Sequence, residues 1–138
     1  MRTCGISYSG SELILVVLDS SGNHVETTVK KIKLNGDSPP ELRHFKTLLE
    51  TFARDESIEV FVVRQPATKG QQRAGAVAIR MDTLLRLADG TFSIESVAPQ
   101  TVSAKLKRDP LARPSSVAAF QQDAYNVVKQ RFASAPEC

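Results

Sequence analysis

Six consecutive apolar residues, Leu13-Ile14-Leu15-Val16-Val17-Leu18, constrain this chain more than any other feature. A strand turns alternate side chains to opposite faces, so a run without polar alternation must be covered on both sides. The run is far too short for a membrane-spanning helix, which needs about 20 apolar residues. A second run, Val60-Phe61-Val62-Val63, lies within Ile58 to Val63 and reads as a parallel strand buried the same way. Helices on both faces of one sheet would cover both strands, which makes the class α/β.

The remaining elements fall around these two. Thr3 to Tyr8 reads as a first strand, turned by Ser9-Gly10-Ser11 into a second, Glu12 to Asp19. Ser20-Ser21-Gly22-Asn23 supplies the next turn. A third, edge strand alternates Val25, Thr27 and Val29 with Glu26, Thr28 and Lys30, then changes phase to Ile32 and Leu34, which predicts a bulge near Lys30-Lys31. Ser38-Pro39-Pro40-Glu41 has the chemistry of a capped helix start, and Leu42, Phe45, Leu48, Leu49 and Phe52 form its buried stripe. After the fourth strand comes a polar loop, Arg64 to Gly75, then a helix from Ala76 to Ala88 closed by Gly90 at a C′-type position. Phe92 to Val97 is the fifth strand, and Pro99 to Lys107 a short helix ended by Asp109-Pro110. Ser115 or Ser116 caps a last helix with Val117, Phe120, Ala124, Val127 and Val128 buried. The expected fold is one domain over residues 1–133, with 134–138 a flexible tail. Its five-stranded mixed sheet has the order 3-2-1-4-5, strands one to three antiparallel and one, four and five parallel, with right-handed crossovers. A topological switch point then falls between strands one and four, where the chain leaves at Ser7-Tyr8 and Arg64-Gln65.

Composition narrows the function classes. The chain has 138 residues, 41% of them hydrophobic and 24% charged, with no Trp, as expected of a globular protein. Met1-Arg2-Thr3-Cys4-Gly5 leads straight into a strand, so no signal peptide is expected. Two cysteines, Cys4 and Cys138, make neither a disulfide framework nor a zinc site, which points to a reducing cytoplasm. His24 and His44 are isolated and lack metal-ligand spacing, and Ser7 has no candidate base to complete a triad. Residues 1–63 hold 7 Lys/Arg against 9 Asp/Glu, whereas the rest holds 11 against 6. The basic half carries two clusters: Lys69 and Arg73 in the glycine-containing loop before a helix start, and Lys105, Lys107, Arg108 and Arg113 around Asp109-Pro110. Each can grip a nucleic-acid backbone, the first near unpaired helix donors, and each also reads as an ordinary solvated surface.

The element order, with Gly5-Ile6-Ser7 on strand one, Val62-Val63-Arg64-Gln65 ending strand four, Glu95-Ser96-Val97-Ala98-Pro99-Gln100-Thr101-Val102 after strand five, and Asp123-Ala124 near the start of the last helix, resembles the RNase H-like superfamily in its RuvC-like branch. Thr3-Cys4-Gly5-Ile6, Gly10-Ser11-Glu12 and Lys69-Gly70 further resemble a small bacterial family of RuvC-like domains that brings no activity with it. The superfamily resemblance implies a site of several carboxylates holding two divalent metals for phosphodiester hydrolysis. This chain departs from that pattern. Strand one offers the hydroxyl of Ser7, strand four the guanidinium of Arg64, and only Asp123 matches an acid. Arg64 and Asp123 are expected to pair across the old site.

Three readings follow. The first is a RuvC-like domain without metal or cofactor that binds a DNA or RNA backbone through Arg64, Lys69, Arg73, Lys105, Lys107, Arg108 and Arg113. The second is a protein-interaction or regulatory module on the same scaffold. The third is a divergent Mg2+-dependent nuclease using Asp123, Glu12 and Glu95. Apolar residues over more than one face of the Val77–Leu87 helix, together with the resemblance, imply a homodimer; no membrane partner is expected.

Overall fold

The computed structural model describes residues 2–64, 76–97 and 116–133, excepting the side chains of Arg64 and of residues 130–133. The order is β1 (Arg2–Ser9), β2 (Glu12–Leu18), β3 (His24–Val25), β4 (Lys31–Lys33), α1 (Pro39–Asp55), β5 (Ile58–Arg64), α2 (Ala76–Leu87), β6 (Ser93–Val97), a 3-10 turn (Ala119–Gln121) and α3 (Gln122–Ala133). The expected helix at Pro99–Lys107, the Asp109-Pro110 break, Ser115 and the tail lie outside the described residues.

The sheet runs β3-β2-β1-β5-β6, with β4 also on β2. β1 is antiparallel to β2 and parallel to β5, which is parallel to β6. This is the expected order and direction. The two-sided apolar strands are central, and each face has its own core. Cys4, Ile6, Leu13, Leu15, Val17, Phe61 and Val63 pack with Phe45, Leu49 and Phe52 of α1 and Met81 and Leu85 of α2. On the other face Ile14, Val16, Leu18, Val60 and Val62 meet Ala124, Tyr125, Val127 and Val128 of α3. Gly5 sets that second layer: a Cβ there would overlap the Ala124 carbonyl and lie 2.6 Å from Val128 Cβ, so only glycine lets α3 rest on β1.

Several local expectations are corrected. The edge is two short strands rather than one bulged strand. Val17 pairs with Val25, so a continuous register would set Leu13 against Val29, yet Leu13 pairs with Ile32, three residues further on. Residues 26–30 take up the excess, and Thr27 Oγ1 closes on the Val29 carbonyl at 2.6 Å. Ser38 stands at the N-cap of α1 but its hydroxyl makes no capping bond; the prolines and Glu41 carry the start. Leu48 is 38% exposed rather than in the buried stripe, and Ala53 is buried instead. Gly90 has no left-handed φ, so it is not a C′ cap. Its missing Cβ instead makes room for the Phe92 ring, 2.5 Å from where that atom would sit. Phe92 meets Phe61 edge-on, centroids 4.9 Å apart.

The last helix also starts differently. Ser116 does not cap it, since its hydroxyl lies 2.8 Å from His24 Nδ1. The 3-10 turn rotates the helical phase, so Phe120 is 47% exposed while Gln121 and Tyr125 turn inward. Gln121 fills the gap the broken edge leaves: its amide donates to the Leu15 carbonyl at 2.8 Å, and its Oε1 accepts the Ala118 N–H at 3.0 Å.

Candidate functional site at the switch point

Strand alternation and the α3 layer put Ser7, Glu12 and Glu95 on one sheet face. Thr3, Gly5 and Ser7 form the β1 row on that face, in step with Gly5 against α3. Ser7 is 7% exposed at the C-terminal end of β1. Arg64 is the last residue of β5, one past Val63, which pairs with Ile6. Glu95 on β6 pairs with Val62, two residues before Val97, which packs on the α3-side core. Glu12 begins β2 in the row of Ile14 and Val16. Asp123 is exposed in the first turn of α3.

Geometry then separates these residues. Glu12 is held by Lys31 Nζ at 3.0 Å, on the outer side of the sheet. Lys31 Nζ also stands 5.3 Å above the Phe120 ring. Among the described residues no three His, Cys, Asp or Glu side chains gather where they could hold a metal ion. The expected Arg64–Asp123 ion pair falls on the Arg64 side chain, outside the described atoms. Lys69, Arg73, Lys105, Lys107, Arg108 and Arg113 also lie outside the described residues.

A polar network that sequence reading missed braces the opposite face at the same sheet end. The Tyr8 hydroxyl donates to Asp82 Oδ1 at 2.8 Å. Arg86 Nε donates to Asp82 Oδ2 at 2.9 Å, and its NH2 to Ser96 Oγ at 2.8 Å. Burial, then the Asp82 carboxylate, pushes the Tyr8 hydroxyl far above its usual range, so it stays a donor. The i,i+4 spacing of Asp82 and Arg86 was visible in the sequence, but its partners Tyr8 and Ser96 are brought by the fold. The network ties α2 to β1 and β6. The Cys4 thiol is likewise pushed up by burial and is inert as a nucleophile. His24 is held below the usual histidine range by partial desolvation.

On α2, Met81 and Leu85 are buried while Ile79 and Leu87 are exposed, as the expectation of an apolar residue outside the core required. No helix among the described residues is long and apolar enough to cross a membrane.

A mixed sheet of this order, one layer of α1 and α2, an opposing α3, and a switch point between β1 and β5 define a RuvC-like α/β domain of the RNase H-like fold. Two solved structures share it over nearly the full length. Thermus thermophilus RuvC superposes with a TM-score of 0.67 at 14% identity, covering 98% of each chain. T. thermophilus RuvC in complex with its Holliday junction substrate gives 0.68 at 15% identity, again covering 98% of each. The chain belongs to the DUF3010 family, described as a protein of unknown function, whose model matches residues 1–130. No curated protein sequence matches it.

Proposed function

We propose that this protein is a non-catalytic nucleic-acid-binding domain that grips a DNA or RNA backbone on a RuvC-like scaffold. The observation that carries the reading is the donor set at the switch point. A hydroxyl stands at the end of β1, a guanidinium-bearing residue at the end of β5, and one exposed carboxylate on α3. Hard divalent cations need several converging oxygen anions, and these residues do not fit a pair of them. Glu12, one of the two substitute acids, is neutralised by Lys31. An arginine in that place favours phosphate oxygens over metal ions.

Affinity comes from Arg64 with Lys69, Arg73, Lys105, Lys107, Arg108 and Arg113, and it weakens steeply with salt. The relative solved with its Holliday junction substrate supports a four-way junction as the first DNA to try. Fluorescence anisotropy with labelled junction, duplex and single-stranded probes at low and physiological salt tests the reading. Binding that is lost in K69E/R73E/K105E/K107E, with no cleavage in Mg2+ or Mn2+, is the expected result. Absence of binding at low salt overturns it, and so does metal-dependent cleavage abolished by Asp123→Asn. The same reading includes a homodimer through α2, where Ile79 and Leu87 are exposed, and Leu87→Glu would then give a monomer in sedimentation velocity.

A further inference from the structure

We propose that the outer edge of β4 docks an extended acidic segment of a partner protein, adding a strand that sets carboxylates opposite Lys31 and Lys33 and an apolar side chain between them. The inference is independent of nucleic-acid binding. It starts from the hydrogen-bond parity of the edge. Leu15 N–H donates to the Lys30 carbonyl at 2.9 Å and Leu34 N–H to the Ser11 carbonyl at 2.8 Å. The Lys30 carbonyl, Ile32 and the Leu34 N–H therefore face β2, and the alternate residues Lys31 and Lys33 turn their backbone groups outward. Among the described residues no strand pairs with that side. A sheet edge with free donors and acceptors is a template for one more strand.

The flanks say what kind of strand fits. On the α1 side a groove of about 600 Å³ opens between β4 and α1, with Val29, Ile32, Leu48 and Phe52 on its walls. Val29 is 42% and Leu48 38% exposed, the two large apolar residues that the cores on either face leave out here. An apolar residue opposite Ile32 would enter this groove. Lys31 and Lys33 border the same groove, whose far wall carries Asp55 and Glu56, paired with Arg54 and Arg2. On the α3 side Lys31 and Lys33 are exposed; Lys31 pairs with Glu12, which lies opposite Lys33 on β2. Lys33 makes no ion pair among the described residues, so two cations face one carboxylate and the edge keeps a net positive charge. Directly opposed cross-strand side chains interact, and like charges there repel. A second copy paired antiparallel about Ile32 would set Lys31 against Lys33 twice, so the edge rejects its own kind. An alternating acidic–apolar segment satisfies both faces at once. Charge complementarity thus selects an acidic partner strand.

The probe is a blocked heptapeptide, acetyl-Ser-Glu-Val-Glu-Val-Glu-Ser-amide, beside its lysine-for-glutamate counterpart, titrated into the labelled full chain by NMR. The acidic peptide is expected to shift Val29, Lys31, Ile32, Lys33 and Leu48, to slow amide exchange at Lys31 and Lys33, and to bind roughly tenfold tighter than the basic one. K31E/K33E should reverse the preference. If that variant does not fold, the two peptides on the unmodified chain still decide. Equal binding of both peptides, shifts centred elsewhere, or no shifts at millimolar peptide overturn the proposal. Concentration-dependent shifts at β4 without peptide would assign the edge to a second copy instead and also overturn it.

Discussion

Replacing Gln121 with methionine keeps the length of the side chain and removes both of its hydrogen bonds. Gln121 is 1% exposed and Leu15 fully buried, so the Leu15 carbonyl loses its partner with no route to water. The edge strand does not take over, because beside Leu15 it presents the Lys30 carbonyl, an acceptor that already takes the Leu15 N–H. An orphaned buried acceptor costs about 1–3 kcal/mol. The Ala118 N–H is only half-buried and finds water, which adds roughly 0.5 kcal/mol at most. Q121M should therefore lose about 1–3.5 kcal/mol, seen as a urea midpoint about 0.5–2 M lower by far-ultraviolet circular dichroism. A loss below about 0.5 kcal/mol would refute the idea that Gln121 replaces a missing strand.

Q121E sharpens the test through its pH dependence. The carboxylate keeps the acceptor for Ala118 but faces the Leu15 carbonyl with a buried negative charge, so its folded pKa rises above the unfolded value near about 4.3. A raised acid pKa means the native state binds the extra proton. The variant is then closest to wild type below the unfolded pKa, where the protonated acid donates to Leu15. It loses stability at up to about 1.4 kcal/mol per pH unit as pH rises toward the folded pKa. A difference from wild type that stays flat between pH 4 and 7 would contradict this geometry.

Gly5→Ala should destabilise by about 1–3 kcal/mol or more, because its methyl overlaps the Ala124 carbonyl and Val128; a wild-type melting curve would sink the close-approach account. Tyr8→Phe removes a donor from Asp82 that Arg86 only partly replaces, costing about 1–2 kcal/mol in denaturant unfolding, and a neutral result would make the network ornamental. Glu50 accepts the Asp89 N–H at 2.7 Å and pairs with Lys46, and these contacts, the first foremost, hold its pKa low. Its depressed pKa contributes stability above the unfolded value that fades as pH falls, so E50Q should flatten the acid limb of the stability–pH curve below about pH 5. Ser7→Asp should lower the melting temperature, with no recovery in millimolar Mg2+; metal-dependent recovery would show that the switch point still assembles a cation site.

The sheet order was legible because two-sided apolar runs identify central strands and each later strand arrives through a helix. The stripe on α2 was equally plain. What escaped was set by distant partners or by phase. Alternation through Val25, Thr27 and Val29 mimics a continuous strand, and only the cross-strand register shows that the chain skips three residues. One 3-10 turn before α3 was enough to swap Phe120 for Gln121 in the buried row, since the two helix types wind differently. Gln121 itself gave no signal, because its partner lies 106 residues away. At the site, residue identities at 7, 64 and 123 were readable directly, and alternation fixed the face of Ser7. The salt link from Glu12 to Lys31 was hidden, because it depends on how the edge strand returns.

Burial accounts for which acid remains at the switch point. Gly5 allows α3 to lie against β1, and Ser7, in the same row of β1, is only 7% exposed. A carboxylate there is largely desolvated and stands only if cations compensate it. Among the described residues no acids converge to hold such a cation, and a neutral hydroxyl at 7 is the stable choice. Asp123 has no such need. It is exposed in the first turn of α3, where water and the positive end of the helix dipole favour a carboxylate. Of the three positions, a negative charge persists only where solvent and backbone stabilise it without metal. The presence of Asp123 is therefore accounted for by its local environment and adds no weight to hydrolytic chemistry.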